Sequence, residues 1–187
     1  MKRMLRVLLS LLFISILQLF QTAAQDFYPI DSANAWTYRV FYNNWPQPED
    51  SSSRQCSIAT DTTMPNGHAY RRLTQPDPLG SLFVRIDSTH ISYYSPLDSS
   101  DIPMYNLCGT PGTVDTIHWG GLFTSRLDWI QPAQVFGLQR TSRHYSFDGI
   151  VQFEVTLADG FGIVEALDKA DGIWPYFAAV EHSRLHH

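Results

Sequence analysis

Lysine is almost missing from this chain beyond its first segment: Lys169 is the only one after residue 24, and glutamate occurs only at positions 49, 154, 165 and 181. Both residues ordinarily fill exposed helix faces, and no stretch beyond residue 24 sustains a 3.6-residue apolar repeat, so a helical bundle is excluded. Basic charge is scarce too. Thirteen Lys and Arg stand against eighteen Asp and Glu, and Lys2, Arg3 and Arg6 fall in the first segment. The remainder carries ten basic and eighteen acidic groups, a net −8 with no basic stripe, which argues against a phosphate backbone as partner. The motifs of several common chemistries are also lacking: no GxSxG, GxxxxGK, HExxH or EF-hand loop occurs, and nothing implies a cofactor.

The first 24 residues have the order of a cleavable export signal. A basic start leads into an apolar run from Val7 to Phe20, broken by Ser10, Ser15 and Gln18, and Thr22, Ala23 and Ala24 close it. The run is too short and too interrupted for a membrane span. The expected organisation is a signal over 1–24 and one domain over 25–187, periplasmic or extracellular, with no transmembrane segment after cleavage. Cys56 and Cys108 are the only cysteines. In an oxidising compartment an even pair reads as a disulfide, here closing a loop of about fifty residues worth roughly 4 kcal/mol in chain entropy.

Strand patterning is strong. Trp36, Tyr38, Val40 and Tyr42 alternate with Thr37 and Arg39. Leu82, Val84 and Ile86 alternate with Phe83, Arg85 and Asp87, and Val151, Phe153, Val155 and Leu157 oppose Gln152, Glu154, Thr156 and Ala158. Turn signals separate such runs at Pro65-Asn66-Gly67, Asp148-Gly149, Asp159-Gly160 and Asp171-Gly172. Spacings of about 8–12 residues are those of antiparallel hairpins. The predicted fold is mainly β, a single twisted antiparallel sheet or open half-barrel of about eight to ten strands. A few short helices are expected, around Ser32–Ala35 or near the C-terminus. Asn43–Arg54 and Asp98–Pro111 read as irregular connections.

DFYPIDSANAWTYRV resembles the opening of a diffuse group of exported bacterial proteins of unknown function, which begin with an aromatic-Pro-Leu/Ile segment and continue to Trp-Thr-Tyr. The group's usual Gly-Asn or Gly-Asp step is Asn34-Ala35 here. DTTMPNGHAYRRL, VRIDSTHISYYSP and DGFGIVEALD followed by IWPYFAAV fit the same pattern. The resemblance implies a twisted antiparallel sheet or open half-barrel and no activity.

Candidate chemistry is sparse. Glu154 falls on the wet face of a strand and Glu165 beside a turn. His182 and His186 have helical metal-ligand spacing but sit at the frayed end of the chain. Asp168 and Asp171 lack the further oxygens of a calcium loop. Aromatics are the enrichment left over: Trp45, Tyr93, Tyr94, Tyr105, Trp119, Trp129 and Trp174. If the domain binds a ligand, Trp119 and Trp129 are the first candidates, because they flank a loosely alternating stretch next to Gly120 and Gly121; the alternative is that both indoles are core. The expected function is an exported, non-catalytic binding or structural domain for a protein, glycan or apolar ligand. The alternative is a small secreted hydrolase without a recognisable motif.

Overall fold

The computed structural model describes residues 34–42, 50–118, 122–149, 152–168 and 175–184, so the segment read as an export signal lies outside the described residues. Twelve strands run in chain order: β1 (Asn34–Tyr42), β2 (Asp50–Thr63), β3 (Ala69–Leu73), β4 (Phe83–Ile86), β5 (His90–Ser95), β6 (Ser100–Asn106), β7 (Val114–His118), β8 (Leu122–Val135), β9 (Leu138–Asp148), β10 (Phe153–Ala158), β11 (Gly162–Asp168) and β12 (Pro175–Arg184). They pair antiparallel in the order β6-β5-β4-β3-β2-β1-β12-β11-β10-β9-β8-β7. Strand β2 belongs to two sheets: Asp50–Ser57 pair with β1, and the stretch from Ile58 to Thr63 pairs with β3 after a register shift at Ile58/Thr60. The mainly β, antiparallel architecture expected from the sequence is what forms. It is not closed into a barrel, since no pairing joins β6 to β7 among the described residues.

Inward positions that alternation predicts are buried on β1, β4 and β10. Trp36 and Tyr38 are buried on β1 while Arg39 is exposed, and Val84 and Val155 are fully buried. Trp36 Nε1 donates to the Phe161 carbonyl at 2.6 Å and Tyr38 OH to the Ile163 carbonyl at 3.1 Å, so both polar ends are satisfied inside the core. An edge-to-face ring chain then ties the two sheets together: Tyr93 meets Tyr105 at 6.2 Å, and Tyr105 meets Tyr145 at 5.3 Å and Phe147 at 5.7 Å. Strands β5 and β6 therefore pack over β9, with Tyr145 OH donating to the Asn106 carbonyl at 2.8 Å. The Pro65-Asn66-Gly67 turn joins β2 to β3 with Gly67 at φ 80°, and Asp159-Gly160 joins β10 to β11 with Gly160 at φ 77°. The Asp171-Gly172 turn lies outside the described residues.

Several expectations are corrected. The described residues contain no helix: Asn34 and Ala35 open β1, and Pro175–Arg184 form β12. Among the described residues, then, no helix is long and apolar enough to cross a membrane. Twelve strands form in place of the expected eight to ten, and two segments read as irregular pair with neighbours. Asp50–Arg54 extends β2 along β1, and Ser100–Asn106 is the edge strand β6. Pro103 is tolerated in β6 because an edge strand has one side whose N–H groups need no ladder partner.

The cysteine expectation is also overturned. Both thiols are free. Cys56 is buried on β2, its Sγ–H directed at the Gln75 carbonyl at 3.2 Å, whereas Cys108 is exposed after β6 with its sulfur 3.8 Å from the Ser88 carbonyl. Compartment and an even count argue for oxidation but say nothing about distance, and the fold gives the two sulfurs separate surroundings. Burial pushes the Cys56 thiol up to about 12, so it holds little thiolate at neutral pH. A thiol-reactive chromophore added to the native, unreduced protein should titrate one group, Cys108, with the second appearing only in denaturant. Two reactive groups in the native state, or none in denaturant, would contradict this arrangement.

Candidate functional site

On the face turned away from the core, four neighbouring strands bring side chains into one transverse row. Val114 on β7 lies opposite Arg126 on β8, Arg126 opposite Ser146 on β9, and Ser146 opposite Glu154 on β10. Residues paired across antiparallel strands share a face, so this row is a consequence of register alone. Thr124 and Asp148 form the next row. A groove of about 300 Å³ crosses these strands and is lined by both rows together with Gln152, Phe147 and Phe153.

Internal contacts order the lining. Gln152 Nε2 donates to Asp148 Oδ1 at 2.9 Å, Thr124 Oγ1 donates to the Asp148 carbonyl at 3.4 Å, and Arg126 Nε donates to Asp128 Oδ1 at 2.6 Å. Phe147 and Phe153 stack 4.3 Å apart and are buried on the core side of β9 and β10, so they back the groove from beneath. Val114 and the Arg126 side chain are 56% and 58% exposed, so this end opens to solvent. Gly149 sits at the same end, and a Cβ there would lie 2.5 Å from the Phe123 ring and 3.0 Å from the Leu122 carbonyl. Here glycine is required by close approach, not by a left-handed backbone.

Trp129 borders this groove by way of a β-bulge. Phe123, Ser125 and Leu127 alternate into the core, and strict alternation would send Trp129 after them. The register shifts between Leu127 and Trp129, which places Trp129 opposite His144 on the outer face. One extra residue in a strand re-aims the side chains beyond it. The indole is half-buried and lies parallel to the His144 ring at 4.9 Å. His144 Nδ1 is 3.1 Å from Thr156 Oγ1, Thr156 Oγ1 donates to Glu165 Oε2 at 3.3 Å, and His144 Nε2 is 3.9 Å from Glu154 Oε2. Glu154 thus belongs both to the groove and to this second row. Its position on the wet face, which gave it no distinction in sequence, is what makes it available.

A second polar cluster lies on the β3–β6 half around Asp101. Its carboxylate accepts from Tyr70 OH, from Asn66 Nδ2 at 2.9 Å and from Arg85 at 2.8 Å, and it is 2.9 Å from His68 Nδ1. The cluster ties the β2–β3 turn to edge strand β6.

A third cluster is buried. Asp77, in the loop between β3 and β4, accepts from Tyr93 OH and from the Leu79 and Ser81 amides at 3.0 and 2.9 Å. Burial pushes its carboxyl up to about 6 against the lowering effect of these hydrogen bonds. Burial likewise raises the Tyr38 and Tyr105 hydroxyls well above their ordinary value.

Of the residues singled out from sequence, Trp129 reaches the outer face, while Trp119 lies outside the described residues. Tyr93 and Tyr105 are core, Tyr94 is half-buried, and Trp45, Trp174, Lys169, Asp171 and His186 are outside the described residues. Among the described residues no three His, Cys, Asp or Glu side chains converge as a metal site. Sequence reasoning misses Arg126, Ser146, Asp148 and Gln152 as a set, because only the β7–β10 register brings them together.

No family model matches the chain, and neither does any curated protein. Among solved structures it is similar to a Bacteroides fragilis protein inferred to be exported and described as having a YmcC-like fold, at 11% identity and a TM-score of 0.45, over 84% of this chain and 99% of that one. It is also similar to an inferred lipoprotein of Parabacteroides distasonis, at 10% identity and a TM-score of 0.39, over 84% of this chain and 98% of that one.

Proposed function

We propose that the protein is an exported, non-catalytic β domain that binds a polar ligand in the outer-face groove across β7–β10. The observation that carries this reading is the row Val114–Arg126–Ser146–Glu154, flanked by Thr124, Asp148 and Gln152. An apolar ligand would displace water from the polar members of this set without returning hydrogen bonds, an unfavourable exchange. The signal-like order of residues 1–24 supports export.

The alternative, a small secreted hydrolase, has one observation in its favour. Asp101 orients His68 through Nδ1, as a carboxylate orients a general base. The hydroxyl in that cluster, however, is that of Tyr70, whose ring is buried and whose O–H is given to Asp101.

Amide chemical-shift mapping of the mature protein distinguishes the two, using mixtures of short oligosaccharides and short peptides as probes. Perturbations centred on Thr124, Arg126, Ser146, Asp148, Gln152 and Glu154 are expected. Perturbations confined to the His68–Asp101 cluster, or conversion of a probe to products that is lost in His68→Ala, would overturn the reading.

A further inference from the structure

We infer that the groove takes a neutral sugar ring of an oligosaccharide chain, an inference that rests on the groove being the ligand site. The first reason is that the strands beneath the groove are fully paired with one another through Val114, Arg126, Ser146 and Glu154. Strands β8, β9 and β10 are paired on both sides, so a peptide could add as a strand only along the outer edge of β7, and recognition across the rest of the groove falls to side chains. The second reason is the donor and acceptor mixture. Asp148 and Glu154 only accept, Arg126 only donates, and Gln152, Ser146 and Thr124 do both. Vicinal sugar hydroxyls each donate and accept at fixed spacing, which suits planar carboxylate, amide and guanidinium groups.

Charge narrows the class further. Two carboxylates face the groove, and its one guanidinium is already bonded to Asp128 at 2.6 Å. A polyanionic chain would meet repulsion from Asp148 and Glu154 with little positive charge to offset it. Size agrees as well: about 300 Å³ is at the lower end of small-molecule clefts and suits one ring with its neighbours outside. The bordering Trp129 indole, half-buried on the outer face and stacked on His144, offers a flat apolar surface for the C–H side of a pyranose.

The test uses neutral tetrasaccharides built from glucose, mannose, xylose or N-acetylglucosamine, with tetralysine and tetraaspartate as charged controls. Each is titrated into the mature protein and followed by amide shifts. At least one neutral tetrasaccharide should move the groove amides, and Glu154→Ala and Gln152→Ala should each weaken its binding about tenfold or more. Gln152 is exposed, so its variant keeps the fold and separates lost binding from lost stability. Groove shifts produced by tetralysine and by none of the sugars would overturn the sugar inference while leaving the groove as the ligand site. Sugar-induced shifts confined to other surfaces would overturn both. No shift with any tetrasaccharide at millimolar concentration would overturn the sugar inference.

Discussion

Replacing Trp36 by alanine should destabilise the folded domain by about 3–5 kcal/mol, the range for emptying a large aromatic site in a packed core. Trp36 is 2% exposed, sits on central strand β1, and reaches across to the β10–β11 turn through its bond to the Phe161 carbonyl. The variant loses the buried area, opens a void and leaves that carbonyl without its indole donor, and these losses act in one direction. Urea unfolding should show a lower midpoint with little change in slope. Tyr38→Phe is the control: it removes only the hydroxyl that donates to the Ile163 carbonyl, and should cost about 1 kcal/mol. A Trp36→Ala variant as stable as the parent would mean that β1 does not anchor the core.

The second large effect concerns pH. Asp77 is buried, and its carboxyl stands at about 6 when folded against an ordinary 3.8. Between these values the folded chain holds a proton that the unfolded chain has released. The contribution of Asp77 to stability is therefore fully present below the unfolded value and is lost as pH rises through the folded one. At 1.36 kcal/mol per unit this amounts to about 3 kcal/mol across the window. Other carboxylates superimpose their own slopes, so the quantity to measure is the difference between the parent and Asp77→Asn from pH 4 to 7. Asparagine keeps an oxygen for the Leu79 and Ser81 amides while removing the titration. The variant should lose stability relative to the parent at pH 4 and regain it towards pH 7. Parallel curves across that range would show that Asp77 is not desolvated in the folded protein.

Much of the scaffold is legible in the sequence because period-two burial is a local property. Trp36, Tyr38, Val84, Val155 and Leu157 turn inward as their alternation requires. The pattern fails further along β10, where Thr156 and Ala158 are buried although they fall on the face expected to be wet. Alternation assigns a residue to a face but cannot say whether that face is covered. The opening of β2 escapes for a different reason. Asp50–Arg54 is a run of serines between charges with no apolar signal, and its pairing with Phe41, Val40 and Arg39 on β1 alone makes it a strand.

The site is less legible than the scaffold. Neighbouring glycines and loose alternation single out Trp129 in sequence, whereas its exposure on the outer face comes from the bulge after Leu127. The groove itself depends on residues from four strands, from Val114 to Glu154, and no local pattern carries that register. The paired-cysteine expectation fails on the same ground. Cys56 and Cys108 are far apart in sequence, and only the fold decides what each sulfur meets.

A crystal structure of the mature protein grown with its tightest-binding neutral tetrasaccharide tests the central claim most directly. The expected result is a sugar ring in the β7–β10 groove, hydrogen-bonded to Arg126, Asp148, Gln152 or Glu154. A sugar seated on the Asp101 cluster instead, or a groove filled by a segment of the chain itself, would contradict it.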